Sequence, residues 1–62
     1  MNINTWRRRN NSKYAIATNY LSDNRKNMDR VKQQYQVSYA EQLMVQCEIP
    51  YEVAQHIVGK EV

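Results

Sequence analysis

Near its start this chain carries Trp6-Arg7-Arg8-Arg9, an indole followed by three guanidiniums. Cations in a row track a phosphate backbone, and an adjacent aromatic ring can stack on an unpaired base. An extended arginine arm also suits a narrow minor groove, where negative potential is concentrated. An anionic bilayer surface attracts the same cations, and the same four residues also read as a solubilising tail without a ligand, or as Trp6 folding back onto the helices; the reading carried forward is nucleic acid. Lys13 extends the group. A second basic group, Arg25, Lys26, Arg30 and Lys32, follows after Ser22-Asp23-Asn24. On a helix, Arg25 and Lys32 are each within pairing distance of Asp29, whereas Lys26 and Arg30 stand four apart and repel mildly. The candidate nucleic-acid-binding set is therefore Trp6, Arg7, Arg8, Arg9, Lys13, Arg25, Lys26 and Arg30.

These cations belong to a polarised sequence. Residues 1–32 hold eight basic residues against Asp23 and Asp29, which gives 8 − 2 = +6. Residues 33–62 hold Lys60 against Glu41, Glu48, Glu52 and Glu61, which gives 1 − 4 = −3. The overall +3 thus conceals an end that seeks anions and an end that does not.

Other chemistry is thin. Cys47 and His56 are the only thiol and the only imidazole. A cysteine–histidine nucleophile is conceivable from such a pair, but Cys47 continues an apolar stripe and reads better as a small core residue. There is no glycine-rich phosphate loop and no paired carboxylate set in a core position, so the expectation is a non-enzyme with no catalytic residue and no small-molecule substrate. A structural zinc wants about four ligands, which leaves no metal site and no cofactor to predict. With one cysteine no internal disulfide can form, and a lone thiol points to a reducing cytoplasm. No apolar run approaches the roughly 18 residues of a membrane span, and the basic start followed by Tyr14–Leu21 does not read as a signal peptide.

Sixty-two residues make one small domain with a marginal core. Gly59 and Pro50 are the only glycine and proline, and no alternating β pattern appears, so the predicted fold is all-α. Asn2, Asn4, Asn10 and Asn11 compete with helix by bonding their own backbone, so residues 1–12 are expected as a flexible basic tail and residues 13–62 as the helical domain. Ser12 is a candidate cap for a helix over about 13–21, whose Tyr14, Ala17 and Leu21 share a face that Ile16 and Tyr20 widen. Ser22-Asp23-Asn24 reads as a turn, with Ser22 or Asp23 capping the next helix.

From Arg25 onward Met28, Val31, Tyr35, Tyr39, Leu43 and Cys47 form one stripe. Either one central helix runs over about 23–48, flanked by two short ones, or it breaks at Val37-Ser38, where Ser38-Tyr39-Ala40-Glu41 matches a capping box. The expected architecture is a small bundle of three or four helices, or the long-helix variant. Pro50 opens the last helix, Val53, Ala54, Ile57 and Val58 form its apolar face, and Gly59 stands where a left-handed residue would end it.

Residues 39–58 resemble a helix-turn-helix, with Glu48-Ile49-Pro50 as the turn. The second helix of such a motif usually offers basic or amide side chains to base edges. Here Tyr51, Glu52, Gln55 and His56 are exposed with no Lys or Arg among them, and a negative helix is electrostatically wrong for a groove. The segment is therefore read as an αα-corner that closes the core. Tyr14, Tyr20, Tyr35, Tyr39 and Tyr51, with no phenylalanine and only Leu21 and Leu43 as leucines, suit a thin core completed by another surface. The expected self-association or partner-binding residues are Tyr35, Tyr39, Leu43, Val53 and Ile57. The leading functional expectation is a regulator that binds DNA or RNA through its basic half and forms homo-oligomers through its C-terminal helices. The alternative is a protein–protein interaction module, an inhibitor or adaptor of a larger protein.

Overall fold

Asparagine, not glycine, articulates the first half of the chain. The computed structural model describes residues 1–61 and contains five helices: α1 Ile3–Arg9, α2 Asn11–Asp23, α3 Arg25–Tyr35, α4 Tyr39–Cys47 and α5 Tyr51–Glu61. Every element among the described residues is helical, so the all-α expectation holds; five helices replace the three or four predicted. Single residues, Asn10 and Asn24, separate α1 from α2 and α2 from α3.

The two joints are built alike. Asn10 has φ −128° and ψ 42°, and Asn24 has φ −117° and ψ 21°. In each, the backbone N–H donates to the carbonyl four residues back, Trp6 and Tyr20 respectively, at 2.9 Å. The side-chain Nδ2 donates to that same carbonyl at 3.0 Å. The asparagine's own carbonyl accepts from the residue four ahead, Tyr14 at 2.9 Å and Met28 at 2.8 Å. Each joint asparagine thus keeps its own backbone groups paired to the helices on both sides where the helix is interrupted.

This corrects the expectation of a flexible tail over residues 1–12. Asn2 caps α1, its side-chain oxygen accepting from the Thr5 N–H at 3.2 Å. Ile3 and Trp6 pack, partly buried, against the core. A seven-residue helix cannot hold its shape alone in water, so this docking is what maintains it. Arg7, Arg8 and Arg9 fill its last turn, where cations complement the helix dipole. Ser12 and Ser22 lie inside α2 rather than at helix boundaries.

Between α3 and α4 the chain breaks, and no single helix spans 23–48. Gln36 takes the left-handed conformation at φ 58°, and Ser38 is extended and accepts from the Glu41 N–H at 3.2 Å. Buried Gln42 secures the break: its Nε2 donates to the Met28 carbonyl at 2.9 Å and to the Val37 carbonyl at 3.0 Å. The α4–α5 connection is Glu48-Ile49-Pro50, with Glu48 left-handed at φ 54° and Ile49 buried. The Pro50 carbonyl accepts from the Ala54 N–H at 3.0 Å, so Pro50 sits just ahead of the first helical residue. Gly59, expected as a left-handed stop, lies inside α5 and has no positive φ.

The core gathers Tyr14, Ala17 and Leu21 from α2, Met28 from α3, and Ala40 and Leu43 from α4. Ile49 from the turn and Val53, Ala54 and Ile57 from α5 complete it. On the expected faces Tyr14, Ala17 and Leu21 of α2 and Val53, Ala54 and Ile57 of α5 are buried, whereas Ile16, placed on the α2 face, is exposed. Of the Met28-Val31-Tyr35 stripe only Met28 is buried, and Tyr35 is 65% exposed.

Candidate nucleic-acid interface

All eight basic residues of the first half are exposed. The asparagine joints gather four of them at two bends. Asn4, Arg7, Arg8 and Asn11 line a shallow concavity where α1 meets α2. Ser22, Asp23, Asn24, Arg25, Lys26 and Asn27 line another where α2 meets α3. Each bend offers two adjacent cations beside amide side chains, donors suited to phosphate oxygens, and the second also carries the Asp23 carboxylate. Asn4 and Asn11 were missed in the sequence, although the 4-7-8-11 spacing would have shown them on one face had α1 been read as a helix. Lys13 and Arg30 are exposed on α2 and α3, outside both bends.

Arg7 and Trp6 of the expected set are held by the chain itself. The Arg7 guanidinium lies 4.4 Å from the centroid of the Tyr14 ring, a cation–π contact that fixes its direction. The Trp6 indole packs on the core, so it anchors α1 rather than offering a free face to a base.

The charge split along the sequence is bridged in space at one contact. α1 lies beside α5: the Met1 amino group is 3.5 Å from the Glu52 carboxylate. Arg7 shares a hollow with Tyr14, Thr18, Ile57 and Lys60. On the other flank of α5, Lys32, Ser38, Tyr39 and Ala40 line a hollow with Tyr51, Gln55, Val58 and Gly59. The Lys32 ammonium stands 4.9 Å over the Tyr39 ring. The Tyr39 hydroxyl donates to one Asp29 oxygen at 2.9 Å, and the Gln33 Nε2 donates to the other at 3.1 Å. That hydrogen bond to Asp29, aided by desolvation and by the carboxylate's charge and opposed by Arg25, raises the Tyr39 pKa above the ordinary tyrosine value.

The residues expected on a partner-binding stripe divide differently. Leu43 and Val53 are fully buried and Ile57 is 1% exposed, so all three belong to the chain's own core. Tyr39 is half-buried and bonded to Asp29. Only Tyr35 stands open. The other large apolar side chains that reach the surface include Ile16 and Val45, which the stripe did not contain. Burial pushes the Cys47 thiol above its ordinary pKa, away from an activated thiolate. The His56 ring is 6.5 Å from that of Tyr14, tilted at 50°.

No protein-family model, curated protein or solved structure matches the chain. Among the described residues, no helix is long and apolar enough to cross a membrane.

Proposed function

We propose that this chain is a small regulatory protein of the cytoplasm that binds nucleic acid without catalysing a reaction, through the cations of α1, α2 and α3. The observation that carries this reading is the pair of cationic concavities at the asparagine bends, Arg7 with Arg8 and Arg25 with Lys26. Lys13 and Arg30 add charge to the same half of the chain. Such contacts supply affinity and register and carry little sequence information.

Fluorescence anisotropy across a salt series tests it. Each phosphate neutralised contributes roughly 0.9 to the log–log salt slope on duplex DNA and about 0.7 on single strands. Replacing both Arg7 and Arg8 by alanine should lower the duplex slope by about 1.8. Absence of binding to any nucleic acid at about 50 mM salt refutes the reading, since the electrostatic term is strong at low salt.

A second reading keeps a protein partner or a second copy. It is favoured by Ile16, Tyr35 and Val45, which are 60%, 65% and 67% exposed. Light scattering distinguishes it: a dimer mass that Tyr35→Ser and Val45→Ser return to the monomer supports this surface, and a concentration-independent monomer removes self-association.

A further inference from the structure

We infer that the ligand is duplex DNA and that α5 is the element that enters its major groove; this rests on the nucleic-acid reading above and extends it to a ligand and a reading helix. α4, the three-residue connection Glu48-Ile49-Pro50, and α5 form a helix-turn-helix. Glu48 takes the left-handed conformation where the chain reverses, and Ile49 is buried beneath the turn. Leu43, Val53, Ala54 and Ile57 lock the pair to the core from inside. The face of α5 turned outward carries Tyr51, Glu52, Gln55, Gly59 and Lys60, with His56 half-buried at its edge.

The helix-turn-helix form alone settles no function; charge and chemistry decide. The sequence objection was that this helix is negative. In the fold, Glu52 is met by the Met1 amino group at 3.5 Å. Arg7 and Lys60 stand together on one flank of α5, and Lys32 stands on the other, beside Tyr51 and Gln55. The Met1 amino group thus meets the Glu52 carboxylate, and Arg7 with Lys60 on one flank and Lys32 on the other border α5 with cations on both sides. A helix about 10–12 Å across matches a major groove about 12 Å wide. Cations on both flanks of the helix suit the phosphates on both edges of that groove.

On the outer face Gln55 has the amide geometry that pairs bidentately with adenine, and Tyr51 supplies a hydroxyl one turn earlier. Duplex is favoured over single strands because stacking platforms dominate single-strand binding, and Trp6, the ring beside the arginines, is docked on the core.

The experiment begins with selection from a pool of about 30-base-pair duplexes with randomised centres, using the full chain. Anisotropy then compares the selected duplex, a scrambled duplex and single-stranded RNA of equal length. The expected result is convergence on a sequence. Gln55→Ala should then weaken the selected duplex by roughly 5- to 150-fold, the range for losing one bidentate base contact, while leaving the scrambled duplex unchanged. Tyr51→Ala is a second variant at an exposed position, and circular dichroism confirms that both stay folded. If selection fails to converge, if RNA outcompetes duplex, or if Gln55→Ala weakens both duplexes equally, α5 is not the reader, although nucleic-acid binding itself stands. If nothing binds at low salt, both conclusions fall together.

Discussion

The two halves of this chain fold by different means. Residues 39–61 contribute Ala40, Leu43, Ile49, Val53, Ala54 and Ile57 to the core, six of its ten buried apolar side chains, from fewer than half the residues. Their boundaries are set by a serine cap, a left-handed turn and a proline. Residues 1–38 contribute only Tyr14, Ala17, Leu21 and Met28, yet carry eight of the nine basic residues. Their helices meet at two asparagine joints, each paired through its own backbone to the helix on either side. One half is organised by burial and supplies a rigid helix pair. The other is organised by backbone bonding and displays charge. A small chain can afford this division because elements short on apolar surface need only dock on a neighbour that has it.

The sharpest way to break the comparison is through the core. Leu43→Ala should cost about 2–5 kcal/mol, enough to unfold a domain this small. Ile3→Ala in half-buried α1 should cost far less. Thermal melts monitored by circular dichroism check both, and equal losses would mean that α1 is as much a part of the core as α4.

Next comes the clamp between the halves. Gln42→Ala leaves the Met28 and Val37 carbonyls without their side-chain donor. We expect a loss of about 1–3 kcal/mol, read as a shift in the urea midpoint. A shift no larger than that of an exposed control such as Gln46→Ala argues that water replaces the amide.

The joints give a smaller and more diagnostic effect. Asn10→Ala removes one side-chain bond, worth about 0.5–1.5 kcal/mol, but installs a residue that favours straight helix. Helicity should hold or rise while affinity for DNA falls, because the Arg7–Arg8 concavity depends on the bend. Unchanged affinity separates the bend from the binding.

The smallest effect is at Tyr39. Its pKa is raised, so the fold favours the neutral hydroxyl. This contribution is complete below the ordinary tyrosine pKa and is lost as pH rises through the raised one. Ultraviolet titration should place Tyr39 above the ordinary tyrosine value, and Asp29→Asn should return it toward that value.

Much of the second half was legible in the sequence because burial leaves periodic traces. The face of α5 and, in Tyr14, Ala17 and Leu21, that of α2 read correctly; the Ser38 cap was one of two open readings, and the structure has the cap rather than a continuous helix. The first eleven residues were misread for a physical reason. An asparagine that bonds backbone competes with helix in isolation, and nothing in Asn10 or Asn24 announces that its amide will serve the carbonyl four residues back. Gly59 misled in the opposite direction, since a glycine can lie inside a helix when packing on the core holds that helix. The charge split along the chain is bridged in space where the Met1 amino group meets Glu52. Leu43, Val53 and Ile57 could not be assigned to a partner surface or to the core by periodicity, which marks an apolar face without saying what covers it.

The asparagine joints also make α2 a ruler. Asn10 and Asn24 are 14 residues apart, about 21 Å along a helix of 1.5 Å rise per residue. Arg7 and Arg25 are 18 apart, close to five turns, so the two cation pairs are in phase apart from what the bends add. Deleting one residue from the exposed face of α2 would draw the bends together by only about 1.5 Å but turn one against the other by about 100°. The length of this helix therefore sets an angular register between two charged elbows, and no charge need be touched to destroy it.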